Sequence, residues 1–179
     1  MWGKRRMFQR ECPFLPRPGS FQAAPSKVKE NIMNQREIVR ALLDSVQRGD
    51  FEKAKSLLSN DYQFSGPVPK PINAETWLGI HKNLKKAFPD LDYHFHVDGV
   101  EGDVTKISAE LKGTHRGVLD LSQVGLGVTP ATDKSFATPL EHGKVTCKGD
   151  KVVSWVVDRI DGGGLTGILA QLGIAVPTM

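Results

Sequence analysis

The segment Ala87-Phe88-Pro89-Asp90-Leu91-Asp92-Tyr93-His94-Phe95-His96-Val97-Asp98 decides how the rest of the chain is read. Ahead of it, apolar residues recur every three or four positions. After Pro89 they recur every second position: Leu91, Tyr93, Phe95 and Val97 alternate with Asp92, His94, His96 and Asp98. The first period belongs to amphipathic helices and the second to a strand with one buried face. A proline at the switch suits both, because it resists a helix interior.

Upstream of the switch, Asn34 followed by Glu37 has the spacing of a capping box, and Ile38, Val39, Leu42, Leu43 and Val46 form one apolar stripe. Gly49 stops that helix. Asp50 is placed to cap a short second helix with Phe51, Ala54, Leu57 and Leu58 on one side. Residues 61–65 read as a short strand, and 66–73, with three prolines, as a loop. A third helix is expected from Ala74 to Phe88, with Trp77, Ile80, His81, Leu84 and Phe88 inward and Lys82, Lys85 and Lys86 solvated.

Downstream, 99–103 is a turn and 104–115 a strand with Ile107, Ala109 and Leu111 on one face. A looser stretch, 117–134, precedes two strands, 135–148 and 151–160, joined at Gly149-Asp150. Gly162-Gly163-Gly164 leads into a last helix carrying Leu165, Ile168, Leu169 and Leu172, ended by Gly173 with Pro177 beyond. Helices first, strands next and one closing helix make an α+β domain. Its expected form is a curved antiparallel sheet with helices across the concave face, enclosing a pocket. No internal repeat, phosphate-binding glycine loop or nucleophile elbow is present.

The 179 residues suffice for one domain. Two cysteines cannot build a disulfide framework, and no run approaches the roughly 18 apolar residues of a membrane span. The net charge is +4 and the pI about 9.1, figures that invite a nucleic-acid reading. Position changes it. Residues 1–32 hold seven basic and two acidic side chains, a net of +5, leaving −1 for the rest. We therefore divide the chain into a basic, proline-containing arm, 1–32, expected to be flexible, and a domain, 33–179, with no nucleic-acid or membrane role. The arm suits an organellar sorting segment weakly and an extended start ahead of Met33 rather better, so the expected location is cytoplasmic, with organelle targeting as the alternative.

Five landmarks, in order, are Ala87-Phe88-Pro89-Asp90-Leu91, Gly113-Thr114-His115-Arg116-Gly117, Glu141-His142-Gly143-Lys144-Val145, Lys151-Val152-Val153-Ser154-Trp155 with Asp158, and Gln171-Leu172-Gly173. With them, residues 34–176 resemble the SnoaL-like polyketide cyclase family, within the nuclear-transport-factor-2-like cone fold. The resemblance implies a homo-oligomeric enzyme that closes a ring in a small hydrophobic polyketide-like substrate by intramolecular aldol condensation, without metal or organic cofactor. It assigns the family's acid to Asp158, or to Asp161 given the glycine insertion beside it, and the family's histidine to His142. The altered turn Pro130-Ala131-Thr132-Asp133-Lys134 bears on substrate rather than fold.

These residue types suit that chemistry, because a carboxyl group buried beside apolar side chains holds its proton more tightly and can return it to a developing alkoxide. His115 shares the parity of Ile107, Ala109 and Leu111 and is a third catalytic candidate; Trp77, Tyr93, Phe95, Trp155 and Arg116 are candidates for substrate contact. Structural roles compete with each: a hydrogen-bonded core histidine, a turn-bracing aspartate, an aromatic core. His94 and His96, flanked by Asp92 and Asp98 on one strand face, have the types for a metal, yet that face is more simply solvated or at a subunit interface, and no metal is expected. Two other functions remain open. One is epoxide hydrolysis of the limonene-epoxide-hydrolase type, using Asp158 and Arg116. The other is a non-catalytic ligand-binding or dimeric interaction module.

Overall fold

The structure is a computed structural model that describes residues 27–175, with side chains from Asn34 onward. Helix α1 (Lys27–Arg48) begins seven residues before Asn34, so Asn34 lies inside the helix and does not cap it. The reason is visible in the sequence: no glycine or proline interrupts 27–48, and the nearest breaker upstream is Pro25. The expected stripe of Ile38, Val39, Leu42, Leu43 and Val46 is buried. Of the arm assigned to 1–32, residues 1–26 lie outside the described residues, and 27–32 belong to α1. Helix α2 (Phe51–Leu57) is capped as expected, the Asp50 carboxylate accepting from Lys53 N–H at 3.1 Å.

Strand β1 (Leu58–Ser65) follows without a break, and β2 (Ile72–Asn73) folds back against it. Helix α3 (Ala74–Ala87) starts at Asn73, whose side chain accepts from Thr76 N–H at 2.9 Å. Strand β3 (His96–Glu101) and β4 (Val104–Ala109) form a hairpin. Short β5 (Lys112–Thr114) pairs with β8 (Ser135–Ala137), and β6 (Leu119–Asp120) with β7 (Val128–Thr129). Then β9 (Glu141–Lys148) and β10 (Lys151–Val157) make the second long hairpin, and α4 (Gly164–Leu172) closes the chain. The main sheet has the order β2-β1-β10-β9-β4-β3. Together these elements make the expected α+β domain with an open, curved sheet.

Three local expectations are corrected. First, β1 runs parallel to β10, so the sheet is mixed, not purely antiparallel. The crossover from β1 to β10 takes in residues 66–150, a length that sequence periodicity does not register. Second, residues 91–95 are not strand: β3 begins at His96, and His94 has φ 43°. There the backbone is held by a single bridge, Asp92 exchanging N–H and C=O bonds with Lys112, and from α1, Tyr93 N–H donating to the Gln47 side chain at 2.9 Å. The burial alternation nevertheless survives, with Leu91 and Tyr93 buried and Asp92, His94, His96 and Asp98 exposed. Third, the 104–115 strand breaks after Ala109. Leu111 exchanges hydrogen bonds with Thr138, which carries the chain out of the main sheet to pair with β8.

One face of β9 points into the domain: Glu141, Gly143, Val145 and Cys147 are buried while His142, Lys144 and Lys148 are exposed. Helix α4 is tied to β8 by the Gln171 amide, which bonds both Ala137 N–H (3.1 Å) and Ala137 C=O (3.0 Å). Its first turn lies against the Gly162 carbonyl so closely that only a glycine at 167 leaves room. Among the described residues no helix is long and apolar enough to cross a membrane.

Candidate functional site

Between the inner sheet face, α3 and α4 lies a cavity of about 790 Å³, counting the part open to solvent. Its concave shape suits a small organic molecule. Its walls are mostly aromatic and aliphatic: Phe64, Trp77, Ile80, Leu84, Tyr93, Phe95, Ile107, Trp155, Leu165 and Ile168 among others. The aromatic rings form a continuous wall. Trp77 and Trp155 lie 5.3 Å apart between centroids, Phe95 and Trp155 5.9 Å, and Tyr93 stacks on Phe95 at 5.0 Å.

Three polar side chains interrupt this lining. Glu141, at an inward position of β9, is only 7% exposed. Its Oε1 accepts from Gly164 N–H at 2.9 Å, the first free amide of α4. Gly163, the N-cap, has no side chain to offer, so Glu141 supplies that bond from a distant strand. Burial pushes the Glu141 carboxyl above the ordinary glutamate value. Hydrogen bonds from Gly164 N–H and the Thr138 side chain oppose the shift without cancelling it.

The other two are a pair. His81, one turn along α3 from Trp77, sets Nδ1 2.8 Å from the Tyr93 hydroxyl. Its ring also meets the Trp77 ring at 4.4 Å, edge-on. Burial lowers the His81 pKa to about 3 and raises that of Tyr93, so the imidazole and the phenol are both neutral at physiological pH. The direction of this bond follows the imidazole tautomer: with the phenol donating to Nδ1 the ring proton sits on Nε2.

The structure sorts the residues singled out from sequence. Trp77, Tyr93, Phe95 and Trp155 all line the cavity. His142 lines it through its stretch of β9 while standing at an exposed position. Asp158 and Asp161 are exposed and do not line it; Asp158 N–H donates to the His142 carbonyl at 2.8 Å. His115 is fully buried elsewhere, against Phe88 at 5.1 Å and with Nδ1 3.1 Å from the Thr132 hydroxyl. Burial lowers its pKa, with Asp133 acting the other way. Arg116 is exposed and, like Asp158, outside the lining, so the pair named for epoxide hydrolysis does not face the cavity. His94 and His96 lie 4.7 Å apart, but among the described residues no group of three or more His, Cys, Asp or Glu side chains is arranged to hold a metal.

Sequence reasoning therefore passed over Glu141 and His81 as chemistry. Each left a signal. Glu141 shares the parity of Val145 on β9, a carboxylate where the alternation asks for an apolar side chain, and His81 sits on the apolar stripe of α3.

No protein-family model matches the chain, and no curated protein matches it. Solved structures do. A candidate SnoaL-like polyketide cyclase from Jannaschia sp. CCS1 matches at TM-score 0.60 and 17% identity, covering 81% of this chain and 95% of that one. IdmH, a candidate polyketide cyclase from Streptomyces antibioticus, matches at TM-score 0.59 and 20% identity, covering 78% and 99%. AclR, a candidate hydroxylase from Streptomyces galilaeus, matches at TM-score 0.60 and 17% identity, covering 79% and 97%. The chain thus has the fold of SnoaL-like and nuclear-transport-factor-2-like proteins. At these identities the likeness is one of fold.

Proposed function

We propose that this cone fold houses a cofactor-independent acid–base enzyme that closes a ring in an apolar, polyketide-like carbonyl compound, with Glu141 as the proton-transfer group. The observation that carries the reading is a buried carboxyl of raised pKa in the wall of an otherwise apolar cavity. A group so placed is matched to proton transfer near neutral pH.

In the reaction proposed, the Glu141 carboxylate removes a proton from the carbon next to a ketone. The resulting enolate carbon attacks a second carbonyl of the same molecule, forming the C–C bond. Its C=O π pair moves onto oxygen, and Glu141 returns its proton to that alkoxide. Protons balance with one group serving both halves, and no oxidant or reductant is needed. The neutral His81, with its proton on Nε2, would donate to whichever oxygen carries charge.

The test is conversion of 2,6-heptanedione to its isomer, the cyclic hydroxyketone, followed by proton magnetic resonance. Glu141→Gln is expected to lose about 10²-fold or more, the usual scale of general acid–base catalysis. Asp158→Asn, changed outside the cavity, is expected to retain activity. Full activity in Glu141→Gln would sink the proposal, and loss confined to Asp158→Asn would return the role to Asp158. Binding of the diketone without any turnover would make the chain a carrier.

A further inference from the structure

The stretch Gly66-Pro67-Val68-Pro69-Lys70-Pro71 joins β1 to β2. It belongs to the cavity, because Pro67 and Val68 line it. Val68 is buried and Pro67 half-buried, while Pro69, Lys70 and Pro71 are exposed. The three prolines have no N–H to donate. Among the described residues, the hydrogen bonds that hold 66–71 to the rest of the domain come from one side chain.

That side chain is Arg159, at an exposed position just past the end of β10. Its Nε donates to the Gly66 carbonyl at 2.7 Å and its Nη2 to the Val68 carbonyl at 2.7 Å. A planar guanidinium fixes the spacing of those two donors, so it fixes the two carbonyls relative to each other. Pro67 lies between them in the chain and is pressed on the start of α4. A Cβ at Gly164 would lie 2.8 Å from both Cβ and Cγ of Pro67. The N–H of the same Gly164 donates to the Glu141 carboxylate. Arg159 thus holds, from outside, the part of the wall that abuts the residue bonded to the buried carboxyl.

We propose that Arg159 is a positioning residue for this cavity: its clasp on the Gly66 and Val68 carbonyls keeps Pro67 and Val68 in the wall and so sets how tightly an apolar ligand is held. The proposal rests on the reading of the cavity as a small-molecule site, and adds the group that governs its affinity. Without the clasp, the wall is in place for a smaller fraction of the time, and apparent affinity falls by that fraction. Loss of one hydrogen bond's preference corresponds to about tenfold.

The test uses the full chain and N-phenyl-1-naphthylamine, a neutral apolar fluorophore, by equilibrium titration and stopped-flow release. Arg159→Ala is expected to bind it about tenfold more weakly, mostly through faster release. Arg159→Lys, which reaches one carbonyl at a time, should fall between. Pro67→Gly removes the ring that the clasp positions. It should weaken binding by itself, and in that background Arg159→Ala should add less than about twofold. A residue that only stabilised the fold would lower the melting temperature without this dependence on Pro67. With 2,6-heptanedione, Arg159→Ala should raise KM while kcat changes less than about twofold. Unchanged affinity and release in Arg159→Ala, or its full effect persisting beside Pro67→Gly, overturns the clasp. Should far-UV circular dichroism show Arg159→Ala unfolded, Arg159→Lys is compared in both backgrounds instead. Failure of the unchanged chain to bind the fluorophore also overturns the clasp. Absence of diketone turnover with these binding effects intact leaves the clasp standing and removes the ring closure.

Discussion

Glu141 and His81 meet the same apolar surroundings with opposite charge chemistry, and their pH dependences run in opposite directions. The Glu141 carboxyl is raised above 4.5, so the stability it contributes is fully present below that value and is lost as pH rises through the raised one. Glu141→Gln keeps an oxygen for Gly164 N–H and removes the buried charge. Its melting temperature at pH 8 is expected to equal or exceed that of the unchanged chain, which calorimetry checks. The same shift gives the reaction an acid limb: turnover should rise with pH through a value above 4.5 as the carboxyl loses its proton. His81 is lowered from 6.5 to about 3, so its contribution is complete above 6.5 and lost as pH falls toward 3. At pH 4 that loss amounts to ~3 kcal/mol. Urea titrations at pH 7 and pH 4 should show a smaller drop for His81→Phe than for the unchanged chain. Equal drops would contradict the buried, neutral imidazole.

Elements in this domain are fastened by neighbours distant in sequence as much as by their own ends. Helix α2 is the local case: Asp50 caps it from the adjacent residue, and Asp50→Ala should cost about 1 kcal/mol. Helix α4 is the opposite case. Its N-terminal amide is satisfied by Glu141 from β9, and its glycine at 167 lets it press on the Gly162 carbonyl. Gly167→Ala would ordinarily favour a helix by up to ~1 kcal/mol. Here the new methyl meets backbone that cannot swing aside. The variant is therefore expected to be less stable than the unchanged chain, by 1 kcal/mol or more on the scale of overpacked cores, as denaturant unfolding would show. A gain in stability would mean α4 can slide away from that turn. Because α4 lines the cavity, the same substitution should also weaken binding of 2,6-heptanedione.

For the whole molecule, the excess of positive charge is concentrated at one end of the sequence. Residues 1–26 carry five basic and one acidic side chain, and 27–179 carry nineteen of each. A chain starting at Lys27 is therefore formally neutral. It should pass through a cation-exchange column at pH 7 that retains the full chain; retention of both would place the basic surface in the domain. The sequence by itself determined the helices, the two main hairpins and the aromatic wall, because apolar periodicity records which side of each element leaves water. It also carried the resemblance to a cone-fold family, borne by short landmarks in order. Only the tertiary structure decided that β1 pairs in parallel with β10, that 91–95 are fastened by Gln47 and by a single bridge from Asp92 to Lys112 instead of extending β3, and that the chain turns out of the sheet at Glu110. Each depends on hydrogen bonds between residues far apart in sequence, which local patterns do not encode. The site follows the same rule. Asp158 and His142 stand beside apolar runs in sequence, yet their positions are exposed, whereas Glu141 and His81 are brought to one cavity by the folding of β9 and α3 around it. Periodicity says which face a residue occupies; only the packing of faces says what stands across the gap.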